Sequence, residues 1–210
     1  MVAALVAVVR HSESEQRAAG VSSPVFRWHS GGDLFAPWYA RAVASACRAT
    51  PEVESWLYTR SLSLVRFVVG VPSLRVLVSA DSDNVANAAR IAGRYGLGVA
   101  MLADDDAHAV ELWARVAAAG VDPGRVIGCP VTKWARDGVD VPAHVVGADG
   151  RRASARRGAA AVGACVACGW CLPGASGSVT FVVHGGRARG ESAGRLGAAV
   201  AVRARRAVAL

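Results

Sequence analysis

Short apolar runs and amphipathic stretches alternate along the first two thirds of the chain. Runs rich in β-branched and aromatic residues predict strands, and stretches with an apolar stripe at helical spacing predict helices between them. Strands that alternate with helices pair in parallel through right-handed crossovers. We therefore predict an α/β protein, with parallel strand–helix repeats that form either an open sheet or a partial (β/α) barrel. The predicted strands begin near residues 25, 55, 74, 98 and 124, and the predicted helices cover 37–49, 83–93 and 107–119, with a short helix or apolar loop at 62–69.

The two ends of the chain depart from this rhythm. Residues 1–24 are predicted to be an N-terminal helix and linker, since alanine is frequent there and no turn residue interrupts the apolar start. Glycine, paired arginines and clustered cysteines predict an irregular segment over 131–177, before a last strand at 179–184. Residues 185–210 are rich in glycine, arginine and alanine, and we predict a basic, partly disordered tail. The α/β domain, including the cysteine-containing segment, is thus expected to span residues 25–184.

The net positive charge of the chain lies in its C-terminal part. Residues 1–128 contain twelve arginines and twelve acidic residues, whereas residues 129–210 contain twelve basic and four acidic residues, so the whole net charge of +8 lies there. Such an excess attracts polyanions. We predict weak, nonspecific nucleic-acid binding that weakens as salt rises, and a solvated tail in an arginine-biased chain is the alternative. The candidate contacts are Arg151, Arg152, Arg156 and Arg157.

No segment of the sequence has the length and apolarity of a membrane span, which needs about 20 predominantly apolar residues. The apolar stretch at residues 2–9 has no basic region before it and no small-residue cleavage pattern after it, so a signal peptide is not expected. We therefore predict no membrane association and a cytoplasmic location, where cysteines favour metal or redox chemistry over disulfides.

Polar residues follow nearly every predicted strand. Parallel α/β folds bind ligands at the carboxyl ends of their strands. The turn from His29 to Asp33 is the sharpest signal, because two glycines let the backbone approach a ligand and the aspartate presents a carboxylate. A tight strand-to-helix turn explains the same residues, and Asp81, Ser82 and Asp104 are equally explained as helix caps. The candidate ligand-binding rim comprises His29, Gly31, Gly32, Asp33, Thr59, Ser79 and Asp81.

Three late cysteines are spaced as metal ligands. Cys165, Cys168 and Cys171 follow the C-x₂-C-x₂-C spacing of an iron–sulfur run, whose remote fourth cysteine is also followed by proline, as Cys129 is here. A tetrahedral zinc site is the rival, and His184 is then a substitute for one thiolate. The third alternative is that the cysteines bind no metal and are only small, buried side chains in a chain rich in alanine. An iron–sulfur cluster or zinc is the expected cofactor.

These residues resemble a known family. Residues 26–35 read FRWHSGGDLF, which is similar to the F-R-W-H-x-S-G-D signature of the bacteriophage "gene product 88" domain, although the order here is Ser-Gly-Gly-Asp. Residues 56–60 (WLYTR) and 74–81 (LRVLVSAD) look like the next two strands of that family, and the cysteines also fit. The resemblance covers about residues 25–184. It implies a phage or mobile-element protein, but no particular activity.

A more distant resemblance is to radical S-adenosylmethionine enzymes. These are partial (β/α) barrels in which a Gly-Gly-Glu turn after the second strand holds the methionyl amine, and the turn at residues 31–33 is similar in kind. The resemblance makes S-adenosylmethionine a candidate cofactor. Those enzymes carry their cluster cysteines upstream of the turn, and here the first 28 residues contain none. A degenerate or truncated relative is therefore implied.

Two functions remain open from the sequence. The first is an iron–sulfur protein of radical-enzyme ancestry. The second is a non-enzymatic, zinc-stabilised nucleic-acid-binding protein of a phage or mobile element. Whether the chain is an enzyme is not decided by its residues, and the colour of anaerobically purified protein would separate the two metals.

Overall fold

The computed structural model describes residues 1–29, 31–122, 126–129 and 169–182. Within these residues the chain alternates between strands and helices, as the sequence predicts. The helices are α1 (Val2–Ala18), α2 (Pro37–Ala49), a 3₁₀ helix (Leu62–Phe67), α3 (Val85–Tyr95) and α4 (Asp106–Ala118). The strands are β1 (Val25–Arg27), β2 (Glu54–Thr59), β3 (Leu74–Ala80), β4 (Gly98–Ala103), β5 (Val126–Gly128) and β6 (Ser178–Val182).

The six strands form one parallel sheet in the order β1-β2-β3-β4-β6-β5. The prediction of an α/β fold is confirmed, and of the two architectures left open by the sequence the open sheet is the one observed. The first four strands lie side by side in chain order. Such an order places successive right-handed crossovers on the same face of a sheet.

The helices accordingly cover one face, which we call the first face. Leu57 and Val76 are partners in neighbouring strands and pack into a core that α1 and α2 close. Further along the sheet, Val99 and Met101 pack against α3 and α4. Helix α3 shows why these helices dock, because its small apolar side chains recur at helical spacing. Its buried residues are Val85, Ala88, Ala89 and Ala92.

The opposite, second face is built differently. Strand β6 lies between β4 and β5. After β5, which forms the edge of the sheet, the chain therefore returns to a position nearer its centre. A right-handed crossover that steps back must pass over the second face. The described end of this connection, residues 169–177, does lie there: Trp170 and Cys171 pack on a cluster formed by Leu77, Ala100 and Val179.

Helix α1 is longer than the apolar run that suggested it. It continues through a polar second half to Ala18, where Arg10 and Arg17 both pair with Glu13. The apolar half packs into the core with α2, and Val9 is buried. Gln16 ties the helix to β1, because its side-chain amide both donates to the carbonyl of Val25 and accepts from its N–H.

The largest differences from the predicted boundaries occur at α3 and at the short strands. Helix α3 begins at Val85 with Asn84 at its N-cap position, rather than with Asp81 or Ser82 as its cap. Asp81 instead accepts a hydrogen bond from the Asp83 N–H, which forms a turn before the helix. Strands β1 and β5 have only three residues each. None of the described helices is long and apolar enough to cross a membrane.

Candidate functional site

The predicted rim lies at the carboxyl edge of the sheet, and Asp33 is its centre. One carboxylate oxygen accepts hydrogen bonds from the Leu34 N–H (2.6 Å) and the Thr59 hydroxyl (2.6 Å). The other accepts from the backbone N–H groups of Arg60 (2.8 Å) and Ser61 (3.1 Å). A carboxylate offers about four acceptor sites, and all four are used. Asp33 therefore clamps the loop after β1 to the end of β2.

Asp81 joins the same network through Arg60, which the predicted rim did not include. Its carboxylate pairs with the guanidinium of Arg60, and the backbone N–H of Arg60 donates to Asp33. Ser79 contributes its backbone carbonyl, which accepts from the Asn84 side-chain amide (3.0 Å). The structure thus brings Asp33, Thr59, Ser79 and Asp81 to one edge, and it assigns each of them a partner within the protein.

His29 lies beside this network in a strained backbone conformation. Its φ is +60°, a region that residues other than glycine rarely adopt. The ring Nε2 is 2.9 Å from the Tyr39 hydroxyl, and Nδ1 is buried without a hydrogen-bond partner in the part of the chain described. Burial lowers the pKa of His29, while the nearby Asp33 charge acts in the opposite direction.

The two glycines of the turn lie on the solvent side. A Cβ atom added to Gly31 or Gly32 would meet nothing within 4 Å, so this stretch of backbone is open to an approaching group. Gly32 also has a φ of +96°, which requires glycine. The turn therefore has the accessibility that a ligand-binding loop needs, although the Asp33 carboxylate is occupied.

A second polar cluster at this edge is centred on His108, which the sequence reasoning missed. The ring of His108 lies between the Ser82 hydroxyl (2.9 Å from Nε2) and the Asp104 carboxylate (3.2 Å from Nδ1). The Asp104 N–H also lies 3.1 Å from the same Nδ1. When the ring is neutral and accepts from that N–H, its proton is on Nε2 and points at the serine oxygen. Asp105 caps α4 through the His108 N–H. The cluster closes the β4–α4 turn.

The described cysteines of the metal candidate lie on the second face. Cys129 follows β5 and donates its N–H to the carbonyl of Thr180 (2.7 Å). Cys129 and Cys171 both pack against the same apolar cluster. The Tyr58 hydroxyl donates a hydrogen bond to the Cys171 sulfur (3.0 Å), and the Tyr58 ring contacts Phe181 edge-on.

Arg75 holds the segment that carries Cys171. Its guanidinium donates to the carbonyl groups of Trp170, Leu172 and Gly177. Burial lowers the pKa of Arg75, and the neighbouring Cys171 and Tyr58 act in the opposite direction. One partly buried cation thus fixes both ends of the 169–177 segment beneath the sheet.

Several candidates fall outside the described residues. These are Cys165, Cys168 and His184 of the metal site, and Arg151, Arg152, Arg156 and Arg157 of the basic part. Within the described residues, no three histidine, cysteine, aspartate or glutamate side chains lie close enough together to hold a metal ion. Cys47, the remaining cysteine, is buried under the first face, where its sulfur lies 3.5 Å from the Ser55 hydroxyl.

An open cleft of about 620 Å³ lies at the opposite, amino edge of the sheet. Leu74 and Gly98, the first residues of β3 and β4, line it together with residues 173–177. The cleft therefore contains none of the predicted rim residues.

Comparison with known proteins identifies the family. A family model described as "Gene product 88" matches residues 1–174. The "Gene 88 protein" of Mycobacterium phage L5 is 33% identical over 78 residues, which are 36% of this chain and 32% of that protein. The chain thus matches about a third of the length of this curated relative. No solved structure matches. Neither match is to a radical S-adenosylmethionine enzyme. Because the family model covers most of the chain, this protein belongs to the gene product 88 family of phage proteins.

Proposed function

We propose that this protein binds a metal, as an iron–sulfur cluster or a zinc ion, through Cys129, Cys165, Cys168 and Cys171. The observation that carries the proposal is the position of the two described members. Cys129 and Cys171 are remote in sequence, yet both pack on one apolar cluster of the second face. Cys165 and Cys168 are close enough to Cys171 in sequence that little loop entropy opposes their joining it.

The surroundings of Cys171 suit a metal-bound sulfur. The Tyr58 hydroxyl donates to its Sγ, and a hydrogen bond to sulfur favours the thiolate form that binds metals. The Arg75 guanidinium adds a positive charge near the sulfur. A centre with four thiolates leaves no open coordination position, so we propose a structural role for it. His184 is the substitute ligand for a zinc site with three cysteines. Such thiolates require a reducing compartment such as the cytoplasm.

The test is metal analysis of protein purified without oxygen. A brown protein with visible absorption and bound iron supports a cluster, and a colourless protein with one zinc supports the alternative. Cys129→Ser and Cys171→Ser should each lose most of the metal. Cys47→Ala is the matched control, because it removes a thiol from the other side of the sheet, and its metal content should equal that of the wild type. Full metal content in both serine variants would refute the proposal.

We do not extend this proposal to S-adenosylmethionine chemistry. A methionyl amine that bound Asp33 would have to displace one of the four protein donors that its carboxylate already binds. The turn at residues 31–33 therefore supports a clamp better than it supports that cofactor.

The alternative is that the metal is zinc and that the basic C-terminal part binds nucleic acid without sequence preference. The charge excess of residues 129–210 supports it. Electrostatic binding of this kind falls steeply with salt. Affinity that stays constant between low and high salt would contradict it.

A further inference from the structure

Two large aromatic side chains are exposed where α2 begins. Phe35 is 66% exposed and Trp38 is 52% exposed, and their rings meet edge-on with centroids 5.3 Å apart. Phe35 also stacks on Tyr39 at 4.5 Å. The three rings therefore form one contiguous aromatic surface at the start of α2.

Exposed arginines continue this surface. Arg41 follows Trp38 by one helical turn, and its guanidinium lies over the Phe67 ring at 4.2 Å. Arg66 lies over the same ring at 4.8 Å. A guanidinium that stacks on a ring still presents its N–H edge to an anion. We call Phe35, Trp38, Arg41, Arg66 and Phe67 the aromatic–arginine strip.

The two described helices that carry the arginines of the strip provide no acidic side chain to neutralise them. Helix α2 and the 3₁₀ helix contain no aspartate or glutamate. Neither Arg41 nor Arg66 takes part in an ion pair within the part of the chain that the structure describes. Arg48 lies further along the exposed side of α2 and adds a third positive charge. The strip therefore suits an anionic ligand that also offers flat apolar groups to the rings.

We propose that the aromatic–arginine strip binds single-stranded nucleic acid. Unpaired bases stack on exposed aromatic rings, and arginines along the same groove bind the phosphates. The charges argue against two other occupants. The basic C-terminal part of this chain would be repelled, since it carries the net charge of +8. A second copy that presented the same surface would oppose arginine to arginine. This site is independent of the metal centre and lies outside the basic C-terminal part.

The experiment measures binding of a fluorescent oligo(dT) strand to the full-length protein at low salt. Trp38→Ala should weaken binding about tenfold, the loss expected for one stacked base, whereas Trp38→Phe should retain most of the affinity. The double variant Arg41→Gln/Arg66→Gln should also weaken binding and reduce its salt dependence. All these side chains are exposed or stacked at the surface, so circular dichroism should show unchanged folding.

Two controls separate the strip from general basicity. Arg90→Gln removes an exposed arginine from α3 and should leave the affinity unchanged. The fourfold variant with glutamine at Arg151, Arg152, Arg156 and Arg157 should retain the effect of Trp38→Ala. The proposal is overturned if the strip variants bind like the wild type, or if Trp38→Ala alters only self-association in gel filtration. Equal affinity for duplex DNA of the same length would also overturn it, because paired bases cannot stack on the rings.

Discussion

Asp33→Asn is the sharpest test of what the carboxyl edge of the sheet does. The substitution keeps the size of the side chain but replaces one acceptor oxygen with a donor NH₂ group. If the amide nitrogen faces Arg60 and Ser61, two backbone N–H groups lose their acceptor. If it faces Leu34 and Thr59, the Leu34 N–H loses its acceptor. Both orientations leave at least one donor unsatisfied.

The expected cost follows from these contacts. Leaving a buried hydrogen-bonding group unsatisfied costs about 1–3 kcal/mol, and bonds to a charged acceptor lie at the upper end of such values. Asp33 is only partly buried, so water can replace some of what is lost. We therefore expect Asp33→Asn to lower the free energy of unfolding by about 2 kcal/mol.

The assay is equilibrium urea unfolding, read as a shift of the midpoint at unchanged slope. Asp83→Asn is the matched control, because Asp83 is exposed at the same edge and its side chain makes no hydrogen bond or ion pair within the described residues. Its cost should stay within about 0.5 kcal/mol. If Asp33→Asn costs no more than this control, Asp33 is not a clamp. Its carboxylate would then be available to a ligand, as the sequence suggested.

Two further predictions concern backbone approach and protonation. Gly98→Ala should destabilise the protein by about 1–3 kcal/mol, because the added Cβ would overlap the Gly177 carbonyl oxygen. Gly31→Ala is the control and should leave the melting temperature unchanged, because its Cβ would meet nothing. Equal melting temperatures for the two variants would contradict the close packing of residues 169–177 against β4. Burial lowers the pKa of His29 in the folded protein. As the pH falls, the histidine is therefore protonated in the unfolded chain before it is protonated in the folded one. The free energy of unfolding should thus fall as the pH drops below about 6.5, towards the folded-state pKa. His29→Asn should reduce this loss in urea midpoints measured on both sides of that pH, and exposed His11→Asn should not; identical pH profiles for all three proteins would exclude the effect.

The parts of the fold that local patterns determine could be predicted from the sequence. Strand–helix alternation gave the parallel sheet, and helix α2 was predicted with its observed bounds because Pro37 starts it and Pro51 follows its end. The start of α3 was predicted early, since Asp81 and Ser82 are good caps by type. Asn84 is also a good cap, and the turn formed by Asp81 before the helix decides between them.

The strand order could not be predicted from periodicity. A short apolar run such as β6 fits any position in a parallel sheet, because every strand there has apolar residues and the pattern does not identify its neighbours. Arg75 was missed for a related reason. An arginine inside a strand is expected to face solvent, and only the return of residues 169–177 beneath the sheet makes it a partly buried donor to three carbonyl groups.

Strand β2 shows how one element can serve two candidate sites. Successive side chains of a strand point to opposite faces. Thr59 donates to Asp33 at the carboxyl edge, whereas Tyr58 reaches across the second face to the Cys171 sulfur. The two sites are therefore separable by mutation of adjacent residues. Tyr58→Phe keeps the ring contact with Phe181 and removes the hydrogen bond to sulfur, so it should change the absorption or potential of a bound iron–sulfur cluster without altering the clamp. Thr59→Val should do the reverse, lowering the urea midpoint while leaving the metal spectrum unchanged. A shift of the metal spectrum in both variants would show that the two sites are coupled through β2.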